Sequence, residues 1–139
     1  MLIGKSKNNI DAKGRINVPA KFREDLGSSF IVTRGIDKCL YVYSKNEWAK
    51  LEAAISELPM ASSRSIQRYF FANAEEVVTD TQGRIVIPQH LRDFAEIDKE
   101  VFVIGNCKRA EIWSVEKWFE QEEETTPEDI AAQMSALNF

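Results

Sequence analysis

Thirteen residues are written twice in this chain. DAKGRINVPAKFR (residues 11–23) returns as DTQGRIVIPQHLR (residues 80–92), with Asp, Gly, Arg, Ile, Pro and Arg in the same six places, where ordinary residue usage leaves about one match by chance. With one more residue of offset, IVTRGIDKCLYVYSKNEW (31–48) falls on VFVIGNCKRAEIWSVEKW (101–118), matching Gly35 with Gly105, Lys38 with Lys108, Ser44 with Ser114 and Trp48 with Trp118. A repeat constrains the fold before any local propensity does. Two copies of about forty residues each are too few for a solenoid, whose units need several neighbours. One pseudo-symmetric domain is therefore expected, in which each copy completes the other.

Both copies parse alike. In GRINVP and GRIVIP the apolar residues alternate at period two (Ile16, Val18; Ile85, Ile87), the pattern of a short strand with one face inward. Pro19 and Pro88 stop the ladder and suit the start of a helix, AKFREDL or QHLRDFA. FIVTRG and VFVIG are apolar runs closed by glycine, followed by CLYVYS and AEIWS. Each copy thus reads as strand, short helix and hairpin, a βαββ-like unit in an α+β fold. Ser44 and Glu47 have capping-box spacing and predict a helix over 45–57; Ser114 predicts its equivalent. Between the copies, PMASSRSIQRYFFANAEE reads as a helical connector. In the tail, Thr126, Pro127 and Asp129 signal a helix start, and Ile130, Met134 and Leu137 form a stripe. That last helix is expected to pack on its own body, with docking on a neighbouring subunit as the lesser alternative. The resulting division is 1–58, a first repeat with its helix; 59–76, the connector; 77–123, a second repeat with its helix; and 124–139, an acidic terminal helix.

Charge is unevenly spread. The net charge is -4, yet residues 1–115 hold 17 Lys/Arg against 15 Asp/Glu, and residues 116–139 hold one lysine against seven acids. The acidity belongs to the tail, and the body's mild positive balance permits a nucleic-acid partner without demanding one. No apolar run approaches a membrane span or a signal peptide, so a cytoplasmic protein without a membrane partner is expected. Cys39 and Cys107 are too isolated for a disulfide framework or a metal site and read as reduced core or strand residues. One histidine, His90, and no nucleophile, metal or phosphate-loop motif make an enzyme improbable, with no cofactor, metal or small-molecule substrate expected. Trp48, Trp113 and Trp118 read as core or interface anchors.

The D-x-x-G-R turns carry the chemistry. Gly14 and Gly83 permit a positive φ or a close backbone approach, and Arg15 and Arg84 follow at the rigid start of a strand. Asp11 and Asp80 are placed to accept turn N–H groups or to orient those arginines. A pre-oriented guanidinium fork suits phosphate or the O6/N7 edge of guanine. Lys13 adds a cation to the first turn where the second has Gln82. The spacing equally fits a structural ion pair, and surface pairs contribute only about 0–1 kcal/mol. Arg23 and Arg92 read as solvated or interface residues, and Arg64 and Arg68 as a solvated face of the connector.

The doubled phrase, the strand pair FIVTRGIDKCLYVYSKNEW and the ending from Gly105 to Trp113 (G-x-x-x-x-x-E-I-W) resemble the MraZ family of bacterial transcriptional regulators, grouped with AbrB-like swapped-hairpin DNA-binding proteins. The likeness covers residues 1 to about 118. It implies a small swapped-hairpin β-barrel with flanking helices, and DNA-contacting loops at Asp11, Lys13, Gly14 and Arg15 and at Asp80, Gly83 and Arg84. It also implies a nucleoid-associated ring homo-oligomer on direct repeats in double-stranded DNA, upstream of the division and cell-wall gene cluster that holds its own gene, which it typically represses. Few cations per subunit fit binding by several linked subunits, and a head-to-tail interface can close such a ring. Gln82 in place of a cation and the short acidic tail depart from that pattern. The rival reading is an oligomeric protein-interaction module, antitoxin-like, in which the two turns are structural.

Overall fold

Four strands come from each copy, one more than the sequence pattern shows. The computed structural model describes residues 1–138. The first copy gives β1 (Lys5–Asn9), β2 (Arg15–Asn17), α1 (Ala20–Leu26), β3 (Ser29–Arg34), β4 (Leu40–Ser44) and α2 (Lys45–Ser56); α3 (Met60–Phe70) connects. The second gives β5 (Glu75–Val78), β6 (Arg84–Val86), α4 (Gln89–Phe94), β7 (Glu100–Asn106), β8 (Arg109–Ser114) and α5 (Val115–Glu124), and α6 (Pro127–Met134) follows with a short 3-10 turn. The unit is ββαββ. The extra first strand is invisible to periodicity because KSKNN has no apolar residue and none of it is buried. Its counterpart β5 begins inside the stretch that reads as connector.

The halves are interlaced rather than stacked. β1 pairs with β7 and β5 with β3, while β4 pairs with β8 and β2 with β6, so every one of these ladders joins one copy to the other. Only the β3–β4 and β7–β8 hairpins stay within a copy. Ile16 sits opposite Ile85, and Tyr41 opposite Glu111. These are the same positions of the repeat, so a pseudo-twofold axis passes through both pairs. The swapped-hairpin α+β architecture is thus present, but its strands do not close into one hydrogen-bonded barrel. They form a six-stranded sheet, β1-β7-β8-β4-β3-β5, and a separate two-stranded ribbon, β2-β6. The ribbon strands are three residues long, bounded by the glycine turns and by Pro19 and Pro88, which leaves no room for a ladder to β1 or β5.

The main core lies between ribbon and sheet. Ile16, Ile85, Val18 and Ile87 point inward from the ribbon onto Phe22 and Leu91 of α1 and α4 and onto Phe30, Val32, Val101 and Val103, all almost wholly buried. A second, aromatic cluster on the other face of the sheet holds Tyr41, Tyr43 and the tryptophans, with Trp113 buried and Trp48 and Trp118 packed against it. Cys39 is buried there, and burial pushes its thiol up, so it stays protonated. Cys107 instead lies exposed in the β7–β8 turn with φ 63°.

Helix starts follow the sequence signals in part. Ser44 and Ser114 accept from the N–H groups of Glu47 (3.2 Å) and Lys117 (3.1 Å). The box at Ser44 is half made, because the Glu47 carboxylate takes Lys50 Nζ at 3.1 Å. At α6 the box is complete, Thr126 and Asp129 each capping the other's N–H at 3.2 Å. Yet α6 does not pack on the body as its stripe predicts. Ile130 and Met134 are each 41% exposed and Leu137 61%. The helix at the end of the first copy, α3, does lie on the sheet near the axis: Tyr69 donates to Gly35 O (2.7 Å), Thr33 donates to Phe70 O (2.6 Å), and Phe70 stacks on Tyr41.

Candidate nucleic-acid interface

Each D-x-x-G-R turn is built around its aspartate. Asp11 Oδ1 accepts the backbone N–H groups of Lys13 and Arg15, both at 2.9 Å, and Oδ2 accepts Arg15 Nε at 2.7 Å. The backbone closes the loop, with Gly14 N–H on Asp11 O (3.0 Å) and Asp11 N–H on Arg15 O (3.1 Å). Gly14 has φ 80°, where a side chain is strained. The second turn repeats this: Asp80 accepts Gln82 N–H, Arg84 N–H and Arg84 Nε, each at 2.9 Å, and Gly83 has φ 78°. The Arg15 N–H bond first, then its guanidinium, hold the Asp11 carboxyl at about 2, against an ordinary 3.8. The Arg84 N–H bond likewise lowers Asp80. Both aspartates therefore stay ionised at any physiological pH and keep the arginines oriented.

Use of Nε leaves the fork open. Among the described residues the terminal nitrogens of Arg15 and Arg84 have no protein acceptor, and both side chains are 31% exposed. The ribbon register puts the two on one face. Arg15 lies opposite Val86, Ile16 opposite Ile85 and Asn17 opposite Arg84. With the isoleucines buried, alternation turns Arg15, Asn17, Arg84 and Val86 outward together. The ladder extends to the turn glycines, since Val18 N–H donates to Gly83 O (3.0 Å) and Ile87 N–H to Gly14 O (2.8 Å). The fold thus joins all seven sequence-predicted positions, Asp11, Lys13, Gly14, Arg15, Asp80, Gly83 and Arg84, into one ribbon with a turn at each end. Lys13 is exposed on the first turn, with Gln82 in its place on the second.

Two further arginines pack against this ribbon rather than standing free in solvent. Arg23 and Arg92 are partly buried, and their Nε atoms donate to Val18 O (3.0 Å) and Ile87 O (2.9 Å). Each guanidinium lies across the turn glycine of the other half: a Cβ on Gly14 would sit 2.7 Å from Arg92 Cζ, and one on Gly83 2.7 Å from Arg23 Cζ. Every end of the ribbon therefore carries two guanidiniums, one from each copy. The signal was in the sequence, because Arg23 and Arg92 are the last of the six repeated identities. A planar cation on backbone that lacks a side chain explains why the phrase needs its glycine and its final arginine together.

Other titratable groups gather elsewhere. His90 Nε2 lies 3.2 Å from Glu75 Oε2 at the surface, and Arg109 lies over the Tyr41 ring, 3.9 Å from its centroid, on the opposite face of the sheet. Arg64 and Arg68 are exposed on α3. No helix is long and apolar enough to cross a membrane among the described residues.

The model of a family described as "MraZ protein, putative antitoxin-like" matches twice, over residues 1–68 and 70–137. The chain is 50% identical to the "Transcriptional regulator MraZ" of Caldicellulosiruptor saccharolyticus, 48% to that of Halothermothrix orenii and 45% to that of Acetivibrio thermocellus, in each case over 99% of both chains. With its family model matched end to end and these relatives aligned along their whole length, the chain belongs to the MraZ family.

Proposed function

We propose that this protein is a sequence-specific DNA-binding transcriptional regulator, without enzymatic activity, that places the β2–β6 ribbon in the major groove of double-stranded DNA. One observation carries the reading: the two arginines share the exposed face of one rigid ribbon, each tethered through Nε with its terminal fork open. A two-stranded ribbon fits the major groove, and an arginine fork pairs with guanine O6 and N7. Lys13, and the guanidiniums of Arg23 and Arg92, supply charge toward the flanking phosphates. Regulation of this kind belongs to the cytoplasm, at the nucleoid. The finer reading is repression of the division and cell-wall cluster containing the protein's own gene, through direct repeats engaged by a ring of subunits. Support for self-association comes from the uncovered stripe of α6.

The experiment is a salt series of binding to duplex DNA from upstream of the protein's gene, with Lys13→Ala/Arg15→Ala as the comparison at matched oligomeric state. Loss of affinity together with about one unit of salt slope per lost phosphate contact supports the reading. Equal binding by both proteins rejects it. A second reading, an antitoxin-like interaction module, is favoured by one fact: each Asp–Arg pair is already made in the free chain. Loss of assembly by the same variant, read before oligomeric states are matched, would select it.

A further inference from the structure

We propose that the ribbon reads DNA in one direction, because the two copies place unlike side chains beside the paired arginines: Asn17, which reads adenine, and Val86, which reads the methyl group of thymine. This rests on the DNA-binding reading above and specifies the base edges the same face takes. The pseudo-twofold axis through Ile16 and Ile85 carries Arg15 onto Arg84 and Asn17 onto Val86. The arginines are equivalent and their neighbours are not. Asn17 is exposed directly opposite Arg84, and Val86, 51% exposed, directly opposite Arg15.

The four outward side chains form a grid. Along a strand, residues two apart are separated by about 7 Å, close to two base-pair steps of about 3.4 Å. An asparagine amide both donates and accepts, and so pairs with adenine N6 and N7, whereas an apolar side chain contacts the thymine methyl. A valine beside adenine leaves the N6 amino group and N7 unpaired, and an amide against a methyl group is desolvated without a partner. One end of the grid thus offers a guanidinium with an amide, and the other a guanidinium with an isopropyl group. The turns add to the difference, since exposed Lys13 lies at the Val86 end and neutral Gln82 at the Asn17 end. A palindrome presents the same edges at both ends and satisfies only one of them. The preferred element is non-palindromic, and each subunit is oriented on it.

The test is selection from a randomised duplex DNA library by the purified full chain, followed by competition with the selected duplex at fixed salt. Wild type should yield a non-palindromic element with an A·T pair at each of two distinct positions. Asn17→Val should relax selection at one of them by about 5- to 150-fold, the range of one bidentate base contact, with thermal stability and salt slope unchanged since the position is exposed. Val86→Asn gives both ends of the grid a guanidinium with an amide, leaving only Lys13 against Gln82 to tell them apart, and should shift the selected element toward an inverted repeat. An unaltered element with both variants, while Arg15→Ala or Arg84→Ala still abolishes selection, overturns the directional reading and leaves DNA binding standing. Failure of the arginine variants to change selection overturns both.

Discussion

The two D-x-x-G-R turns agree bond for bond, with backbone contacts to aspartate at 2.9 Å in both and Nε contacts at 2.7 and 2.9 Å. The helices that end the two copies do not agree at all. The family match places 1–68 on 70–137, which sets α3 against the region of α6. One lies on the sheet, hydrogen-bonded to Gly35 and Thr33; the other stands off with its stripe uncovered. The difference teaches where the repeat is enforced. Elements that touch their counterparts across the axis must match, because each is part of the other's surroundings, while elements far from it are bound only by what they happen to meet.

The largest effect that could break this comparison is in the core. Phe22 and Leu91 are equivalent and fully buried, so Phe22→Ala should cost about 3–5 kcal/mol and Leu91→Ala about 2–5. Urea unfolding should show one transition in either variant, because the ladders interlace the halves; a first transition confined to the mutated copy would contradict the interlacing. Next come Gly14→Ala and Gly83→Ala, each costing about 1–3 kcal/mol for a non-glycine residue at positive φ. Adding Arg92→Ala to the Gly14 variant should recover only the smaller, steric part, since a guanidinium can move aside and the backbone cannot.

The aspartates sharpen the comparison in pH. A lowered folded pKa means stability that is present above the unfolded value of 3.8 and lost as pH falls through the folded one, so the Asp11 pairing should persist until about pH 2. Carbon-detected carboxyl titration by NMR should give Asp11 a midpoint near 2 and place Asp80 below the ordinary range as well. A midpoint near 3.8 for either would show that its turn is not pre-formed. Least of all should change with Ile130→Ala or Met134→Ala, whose unfolding free energy should stay within about 0.5 kcal/mol, measured at a dilution where the chain is monomeric. Phe70→Ala on α3, stacked on Tyr41, should exceed that clearly.

Much of this was legible in the residues, and its gaps have physical causes. Alternation at Ile16, Val18, Ile85 and Ile87 located the ribbon strands because their inward face is wholly apolar. β1 escaped because KSKNN is an edge strand with no buried side chain, and alternation reports burial, not pairing. The exchange of strands between copies was equally hidden, since periodicity says which face a residue takes and never which strand lies beside it. The aspartates and arginines of the turns could be named from spacing alone, whereas the stacking of Arg23 and Arg92 on glycine is a contact about seventy residues long. The terminal helix shows the reverse error: its stripe and cap are real, but an apolar face states only that something should cover it.

Interlacing also sets a timetable for synthesis. β1 leaves the ribosome well before its partner β7, which begins at Glu100 and at roughly 5–20 residues per second follows some 5–20 s later. Until then the first copy has its hairpin, an unpaired edge and half a core. Folding must wait for the second copy, and a nascent first copy is a surface that the matching segment of another nascent chain could fill. A protein whose halves are fitted so closely to each other is most exposed to mispairing in the seconds before the second half exists.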